Sequence, residues 1–413
     1  MGESTITSTK NRIDTIDVLR GFALAGILYA HMIIWYTGAS LPQEVYFKYG
    51  STADGIAFGI FGALVLGKFF SVFSFLFGLG FYLQFGKNNF GKGNLRTYIW
   101  RLFLLFLIGV LHHTVWRGDI LAIYAVLGIG LIFSRLLPLK LIPVLALLLI
   151  LNLPVHIYEF FKVGLPDAAV NLPMAEEAKK YYSLVKNEGF TTVLKENWSS
   201  WPAKIKYQLE SGRLLMTFGF FLLGFYAGQI KLFTSIEENV QKFKRWNKIM
   251  EIAILFLLVT GLLMLLNNYV TLPRIEVVPE LKWLAGFLYS IYNVCVTIFY
   301  ITGITLLFRV KSFYPILKPL AAMGRMALTN YLLQTVFGLM LFYNFGMGLF
   351  DKTSPALNIL MAIAIFYLQL KFSQYWLKYF TQGPVEWLWK SLTYLEFSSI
   401  RRKRESYSVS KGY

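Results

Sequence analysis

The chain has 413 residues, of which 56% are hydrophobic, and its mean hydropathy of +0.54 excludes an ordinary soluble domain. The formal net charge of +18 does not indicate nucleic-acid binding, because the basic residues fall in short segments between apolar runs. There the positive-inside rule and anionic lipid headgroups account for them. The single cysteine, Cys295, excludes an intrachain disulfide and a cysteine-based metal cluster.

Apolar runs long enough to cross a bilayer as helices recur along the whole chain. We therefore predict an all-α fold, a polytopic membrane helical bundle of about 10 transmembrane helices plus interfacial or re-entrant helices. The first run lacks a small-residue cleavage site and should be retained as a span. The predicted spans are roughly residues 15–36, 69–86, 97–116, 119–136, 140–158, 212–231, 249–269, 283–308, 320–346 and 355–377.

The glycine-rich stretch 52–67 ends at Lys68 and is short for a span of its own. It predicts an interfacial or re-entrant helix leading into the second span, and whether it spans, re-enters or lies on the membrane stays open. Basic loops fall on one side of a ten-span bundle, so both termini are predicted inside the cell. The resulting parts are an N-terminal transmembrane half (1–158), an extracytoplasmic polar segment (159–210), a C-terminal transmembrane half (211–400) and a basic cytoplasmic tail (401–413).

Polar residues in the first and third predicted spans share a pattern. Asp17 and Arg20 are three residues apart and lie on one helix face. His31 follows Arg20 by eleven residues, which returns to nearly the same face about 16 Å further along. Arg101 and His112 repeat that spacing. Ionisable residues inside a membrane are costly and usually functional, so we expect the two helices to line one site.

The predicted topology separates the intramembrane polar residues into two groups. The extracytoplasmic group supplies the predicted catalytic residues, which are His112, Asp119 and His31. The cytoplasmic group supplies the predicted donor-binding residues, which are Arg20, Asp17, Arg101, Arg325, Asn330, Gln334 and Glu386. Simpler interpretations stay open, because arginines near a membrane face also reach lipid phosphates and a histidine within a span is often a packing residue.

These two groups suggest group transfer across the membrane. A histidine oriented by an aspartate can take a proton from an acceptor hydroxyl or amine. Arginines bind phosphates in a bidentate manner, which suits the nucleotide of an acyl-CoA donor. Its pantetheine arm is of the right order to cover much of the distance of about 16 Å between arginine and histidine. No metal is expected.

Several stretches together resemble the YeiB-like family of bacterial membrane proteins, which carries a domain of unknown function in its C-terminal half. They are DVLRGFALAGIL, KFFSVFSFLFGLGF, LIGVLHHTVWRGDILAIYAVLG, GRMALTNYLLQTVFGLMLFYNFGMGLF and QLKFSQYWLKYFTQGPVEWLWKSLTY. The resemblance covers nearly the whole chain and implies a multi-pass protein of the bacterial plasma membrane. His112 and Asp119 match the family's own histidine and Gly-Asp-Ile-Leu motif.

More distantly, DVLRGFAL resembles the opening of transmembrane acyltransferases, which include lysosomal heparan-alpha-glucosaminide N-acetyltransferase and bacterial enzymes that O-acylate surface polysaccharides. In the polysaccharide enzymes, a histidine thought to be catalytic follows a similar Arg-Gly segment within the same helix. Arg20, Gly21 and His31 occupy the matching positions here. Many YeiB-like proteins have Asn where this chain has His31.

Three functions follow as hypotheses. The first is a membrane-embedded acyltransferase that moves an acyl group from a cytoplasmic acyl-CoA-type donor to an extracytoplasmic acceptor. The second is a transporter or flippase for a small anionic or lipidic molecule, in which the arginines bind and the histidines gate or relay protons. The third is a sensor or scaffold without chemistry. Membrane lipids, acyl-CoA and a glycan or lipid acceptor are the expected partners, nucleic acid is not, and a homo-oligomer stays open.

Overall fold

A computed structural model describes residues 13–38, 41–86, 92–162, 171–271 and 279–402. The described part is helical, with one isolated bridge between Phe380 and Arg401, and the predicted all-α class is confirmed. The basic tail was predicted to begin at residue 401, and its residues after 402 lie outside the described part of the chain. The helices are α1 (Asp14–Met32), α2 (Gln43–Phe47), α3 (Thr52–Ile60), α4 (Phe69–Phe85), α5 (Lys92–Val115), α6 (Leu121–Ser134), α7 (Leu141–Ile150), α8 (Leu153–Lys162), α9 (Asn171–Asn187), α10 (Phe190–Ser199), α11 (Trp201–Glu210), α12 (Arg213–Gln229), α13 (Ile236–Thr271), α14 (Pro279–Leu307), α15 (Tyr314–Arg325), α16 (Ala327–Phe342), α17 (Pro355–Tyr379) and α18 (Pro384–Tyr394).

Within the described ranges, five helical segments are long and apolar enough to cross a membrane. A sixth candidate arises if α7 and α8, which are bent by 46° relative to each other, form one span. The five segments are Thr52–Phe85, Leu95–Val115, Ile236–Met264, Trp283–Leu307 and Pro355–Tyr379. These lengths and compositions are those of a helical membrane protein.

The structure differs from two predicted spans and extends the stretch 52–67, whose placement the sequence analysis left open. The stretch 52–67 passes through a π-helical turn at Phe61–Val65 and continues into α4, so that Thr52–Phe85 forms a single apolar candidate. The predicted span 140–158 is bent after Ile150, where Asn152 has a φ of 54°. A left-handed residue interrupts the helical ladder at that point.

The predicted span 320–346 is wrong as a continuous helix, because the structure divides it at Met326 into α15 and α16. The N-terminus of α16 is satisfied from another part of the chain. The carboxylate of Glu386 accepts hydrogen bonds from the backbone N–H groups of Leu328 (2.6 Å) and Thr329 (3.0 Å). Capping of this kind stabilises a helix start, so a new helix begins where the hydropathy shows no interruption.

Helix α1 lies at the centre of the bundle, where it packs against α4, α15, α16 and α17. Its Val18, Leu19, Ala23 and Leu24 are fully buried. The closest approach is to α15, where a Cβ on Gly324 would lie 1.8 Å from the backbone oxygen of Asp17. Only a glycine permits two backbones to come this close, and the contact brings Arg325 to the polar end of α1.

Helices α9, α10 and α11 form a cap over one end of the bundle. Asn197 of α10 is fully buried and donates to the backbone oxygens of Thr114 (3.3 Å) and Val115 (3.1 Å) at the end of α5. Tyr181 of α9 bonds to Tyr343, just after α16, with 3.0 Å between the two hydroxyl oxygens. The cap therefore covers the end at which α5 and α16 finish.

The close contact between α1 and α15 makes a substitution test possible. We expect Gly324→Ala to destabilise the protein by about 1–3 kcal/mol, because the added methyl group must push the two backbones apart. A matched control is Gly261→Ala in α13, where a Cβ meets nothing within 4 Å and alanine favours the helix. Thermal unfolding in detergent measures both variants. Equal unfolding temperatures for the two would show that α1 and α15 are not packed as described.

Candidate functional site

The site at the capped end is built around the turn between α5 and α6. Asp119 lies in this turn and is 2% exposed. Its carboxylate accepts the backbone N–H groups of Leu121 (3.1 Å) and Ala122 (3.2 Å), so it caps the first turn of α6. It also bonds to Nδ1 of His112 at 2.8 Å. Burial alone would raise the pKa of Asp119, but the bond and charge of His112 and the charge of Lys204 hold it below its usual value.

His112 bridges Asp119 and a threonine of another helix. Because an ionised carboxylate only accepts hydrogen bonds, Nδ1 of His112 carries the proton that Asp119 binds. In the neutral imidazole, Nε2 is then an acceptor, and Oγ1 of Thr335 lies 2.9 Å from it. Thr335 is 1% exposed and His112 is 7% exposed. The order carboxylate, imidazole, hydroxyl is that of a nucleophile, its base and the group that orients the base.

His31 joins this cluster through aromatic contacts. Its ring lies edge-on to Trp116, with 4.7 Å between centroids, and 5.2 Å from the ring of Tyr36. Trp116 also packs against His112, at 5.6 Å between centroids. The structure thus brings the three predicted catalytic residues around one tryptophan, although His31 bonds to neither of the other two. Nδ1 of His31 has no hydrogen-bond partner among the described residues.

The cap places Lys204 and Ser200, which the sequence analysis did not select, beside this cluster. Nζ of Lys204 in α11 donates to the backbone oxygen of Asp119 at 2.5 Å and to Nδ1 of His113 at 3.0 Å. Nε2 of His113 lies 3.3 Å from Oγ of Ser200, and its ring centroid is 4.0 Å from that of Trp201. His113 therefore ties the cap to α5, next to the candidate catalytic histidine.

A second cation at this end is Arg213, the first residue of α12. Its guanidinium lies over the ring of Phe70, 4.2 Å from the centroid, and its charge acts on His31. Nε of Arg213 is buried without a hydrogen-bond partner in the described part of the chain. Lys204 and Arg213 together place positive charge beside the histidines, where an oxyanion would be stabilised.

At the opposite end of the helices, Asp17 lies between two arginines. Nη1 of Arg20 is 2.9 Å from Asp17 Oδ1, and Nε of Arg325 is 3.7 Å from Asp17 Oδ2. Nη2 of Arg325 also reaches Asp14, at 3.1 Å. Asp17 is 1% exposed, whereas both arginine side chains are about one-third exposed at 28% and 31%. The predicted i,i+3 pair is present, and Arg325 joins it from α15.

Arg101 is the third arginine at this end. Its guanidinium lies 3.9 Å from the ring centroid of Trp389 in α18, and the indole N–H of Trp389 donates to the backbone oxygen of Arg101. The charge of Arg101 interacts with that of Arg20. Stacking on an indole leaves the planar N–H groups of a guanidinium able to bind an anion.

The other predicted donor-binding residues are engaged within the protein. The amide nitrogen of Asn330 donates to Ser373 Oγ at 2.9 Å, and that of Gln334 donates to the Leu24 oxygen and to Gln369, both at 3.3 Å. Both residues are fully buried. Their side-chain oxygens have no hydrogen-bond partner among the described residues.

The carboxylate of Glu386 is fully committed to the start of α16. Besides the two backbone N–H groups, Oε2 accepts the hydroxyl of Thr329 at 2.5 Å. It holds α16 in place rather than projecting toward the three arginines. Among the described residues, no group of three His, Cys, Asp or Glu side chains could hold a metal ion.

Helix α16 connects the two ends of the bundle. Arg325 is the last residue of α15, and Thr335 lies eight positions after Ala327, the first residue of α16, which corresponds to about 12 Å along a helix. Asn330 and Gln334 lie between them. The guanidinium groups and the His112 cluster are therefore separated along α1 and α5, and α16 runs between the same two ends.

Comparisons with known proteins find similarity to the same type of protein that the sequence motifs resemble. A family model described as a protein of unknown function, DUF418, matches residues 206–396. The chain is 29% identical to the uncharacterized protein YxaH of Bacillus subtilis (strain 168), over 96% of this chain and 98% of YxaH. It is 28% identical to the uncharacterized protein YeiB of Escherichia coli (strain K12), over 92% of this chain and 95% of YeiB. The chain is therefore similar over nearly its whole length to proteins of the YeiB-like type. No solved structure matches it significantly.

The link between the cap and the site can be tested through Lys204. Burial lowers the pKa of Lys204 to about 8, although the Asp119 carboxylate acts to raise it. Between that value and 10.5, the value of an unperturbed lysine, the folded protein has released a proton that the unfolded chain retains. The unfolded state binds more protons there, so this group's contribution to the free energy of unfolding rises with pH.

We therefore expect the unfolding temperature of the wild type to increase relative to that of Lys204→Met as the pH rises from about 8 to 10.5. Methionine keeps most of the side-chain volume and removes the titrating group. Lys206→Met in the same helix is the matched control, because Lys206 is largely exposed. A constant offset between wild type and Lys204→Met across the window would contradict the buried placement of Lys204.

Proposed function

We propose that this YeiB-like protein is a membrane-embedded acyltransferase, which moves an acyl group from a cytoplasmic acyl-CoA-type donor to an extracytoplasmic acceptor. The observation that carries the proposal is the position of His112, which is held between Asp119 and a hydroxyl in a buried site. The similarity of DVLRGFAL to the opening of known transmembrane acyltransferases supports the same reaction class.

In this proposal His112 is the general base. Nε2 takes the proton of the attacking group, and the Asp119 carboxylate stabilises the imidazolium that forms. Both side chains are buried, and water exclusion strengthens the interaction between their charges. Lys204 and Arg213 add positive charge at the same end of the bundle, which favours the negative charge of a tetrahedral intermediate.

The three arginines are the proposed donor site. Arg20, Arg101 and Arg325 carry three positive charges, against the two carboxylates of Asp14 and Asp17. The surplus favours an anion, and guanidinium groups match phosphate oxygens in bidentate geometry. A pantetheine arm that enters between α1, α5 and α16 would carry the thioester toward Thr335, over a distance similar to the separation of about 16 Å between Arg101 and His112 along α5.

The proposal includes the finer topology. We propose about ten transmembrane helices, in which the shorter helices α1, α6 and α12 and the pair α15–α16 also cross, in a multi-pass protein of the bacterial plasma membrane. The arginine end and both termini face the cytoplasm, because the basic connections favour that side. The cap then faces outward, where it would meet a glycan or lipid acceptor.

A cavity in the cap offers an approach for the acceptor. It encloses about 180 Å³ between α9, α10 and α11, and its lining includes Arg117, Tyr181 and Ser200. Ser200 in turn contacts His113. The hydroxyl and charged side chains in this lining could bind a hydroxyl-bearing group.

Ligand binding and turnover test the proposal separately. Purified protein in detergent should show a higher unfolding temperature with acetyl-CoA or palmitoyl-CoA, because a ligand at about 100 times its Kd stabilises the folded state by about 2.7 kcal/mol. Arg101→Ala should reduce this shift. His112→Ala should keep the shift and lose thioester cleavage by about 10²-fold or more. His156→Ala is the matched control, because His156 bonds to Ser290 of α14, away from the cluster.

A different pattern would favour the transporter hypothesis. In proteoliposomes, movement of a labelled anionic lipid or acyl-CoA across the bilayer with no loss of thioester would contradict acyl transfer. Absence of any shift with acyl-CoA at saturating concentration would contradict the donor site.

A further inference from the structure

We propose that Thr335 is a catalytic nucleophile, which carries the acyl group as an ester between donor and acceptor. This inference rests on the proposed acyl transfer and specifies its pathway. Among the described residues, Thr335 is the one whose side chain bonds to Nε2 of His112, at 2.9 Å. Any other acceptor would have to displace this hydroxyl to reach the base.

The orientation of Thr335 is unlike that of other buried threonines in this chain. Thr217, Thr297 and Thr305 are fully buried and donate to the backbone oxygen four residues earlier in their own helices. Helical threonines commonly make that bond. The hydroxyl of Thr335 instead bonds to a histidine on another helix. The ring of His112 is already oriented by Asp119, so orientation alone does not require this second contact.

Tyr36 supplies a second observation at the same point. It is fully buried, and its ring lies 4.8 Å from that of Trp116. Its hydroxyl interacts with the side chain of Thr335 and makes no other hydrogen bond within the described part of the chain. A buried phenol beside a nucleophile is placed to donate to the oxyanion that forms when the nucleophile attacks.

The first half-reaction balances with these groups. Oγ1 of Thr335 attacks the thioester carbonyl carbon, and its proton passes to Nε2 of His112. The tetrahedral intermediate carries its negative charge on the former carbonyl oxygen, beside Tyr36. When the C–S bond breaks, the leaving sulfur takes the proton from His112, and free thiol and acyl-Thr335 result.

The second half-reaction returns the enzyme to its starting state. The acceptor hydroxyl or amine gives its proton to Nε2 of His112 and attacks the ester carbonyl. The bond between the acyl carbon and Oγ1 of Thr335 breaks, and Oγ1 recovers the proton from His112. A reaction of this type follows ping-pong kinetics.

Two measurements on the full-length protein in detergent test Thr335. The first is covalent labelling with [¹⁴C]acetyl-CoA or [¹⁴C]palmitoyl-CoA without acceptor, followed by denaturation and peptide mapping. The second is exchange of labelled CoA into acyl-CoA, which needs a reversible acyl-enzyme. We expect wild type and Thr335→Ser to show both, with the label on residue 335.

The variants separate a nucleophile from a structural residue. Thr335→Val should lose label and reduce exchange by more than about 10³-fold, while keeping the acyl-CoA-induced rise in unfolding temperature. Thr305→Val is the matched control, because its hydroxyl bonds only within its own helix, and it should label as wild type does. Tyr36→Phe should slow labelling without moving the site of attachment.

Each remaining outcome overturns the inference in a recognisable way. Thioester consumption and acceptor modification without label or exchange would show direct transfer, in which case the proposed function stands and Thr335 only positions His112. Label that persists in Thr335→Val would place the acyl group on another residue. Absence of thioester cleavage in every variant, including wild type, would remove both the inference and the proposed function.

Discussion

Water does not reach the carboxylate of Asp119, so its charge must be balanced by protein donors. Those donors come from three parts of the chain. They are the backbone of α6, His112 of α5 and, more distantly, Lys204 of α11, at 3.9 Å from the carboxylate. Removal of any donor leaves a buried charge less satisfied, which is the costly case for buried ionic groups. The need to balance this buried charge determines the conformation of the turn, the tautomer of His112 and the position of α11 in the cap.

The arginine end is governed by the same physics with a different outcome. Asp17 is as buried as Asp119, and two guanidinium groups, from Arg20 and Arg325, serve it. Arg101 is stacked on Trp389 and adds positive charge, and it forms no ion pair with a carboxylate in the described part of the chain. Because positive charge is in surplus here, an anion that binds at this end is stabilised by guanidinium charge that the protein's own carboxylates do not neutralise.

The residue pairs that could be predicted from the sequence are those set by short spacing along the chain. The pair Asp17–Arg20 follows from i,i+3 geometry, and His112–Asp119 follows from a short turn between two apolar runs. Thr335 and Lys204 could not be found in this way, because 223 and 85 positions separate them from the groups that they bind. The division between α15 and α16 was missed for the same reason. Its cause is Glu386, which caps α16 from beyond α17, and hydropathy does not register a cap supplied from so far along the chain.

Burial of the His112 cluster has a consequence for the proposed chemistry. An acyl ester at Thr335 must survive until the acceptor arrives, and the cap, Trp116 and Tyr36 exclude the water that would hydrolyse it. The acceptor must nevertheless enter through the cap. Its rim is held by the Arg117–Glu177 pair, and the glutamate is 43% exposed. The arginine is 14% exposed, so the pair is only partly open to water, and an ion pair that water reaches contributes less than a fully buried one. Opening this rim therefore costs little compared with disturbing the buried pair beneath it, so the structure favours admission of the acceptor at the cap while Asp119 and His112 stay in place.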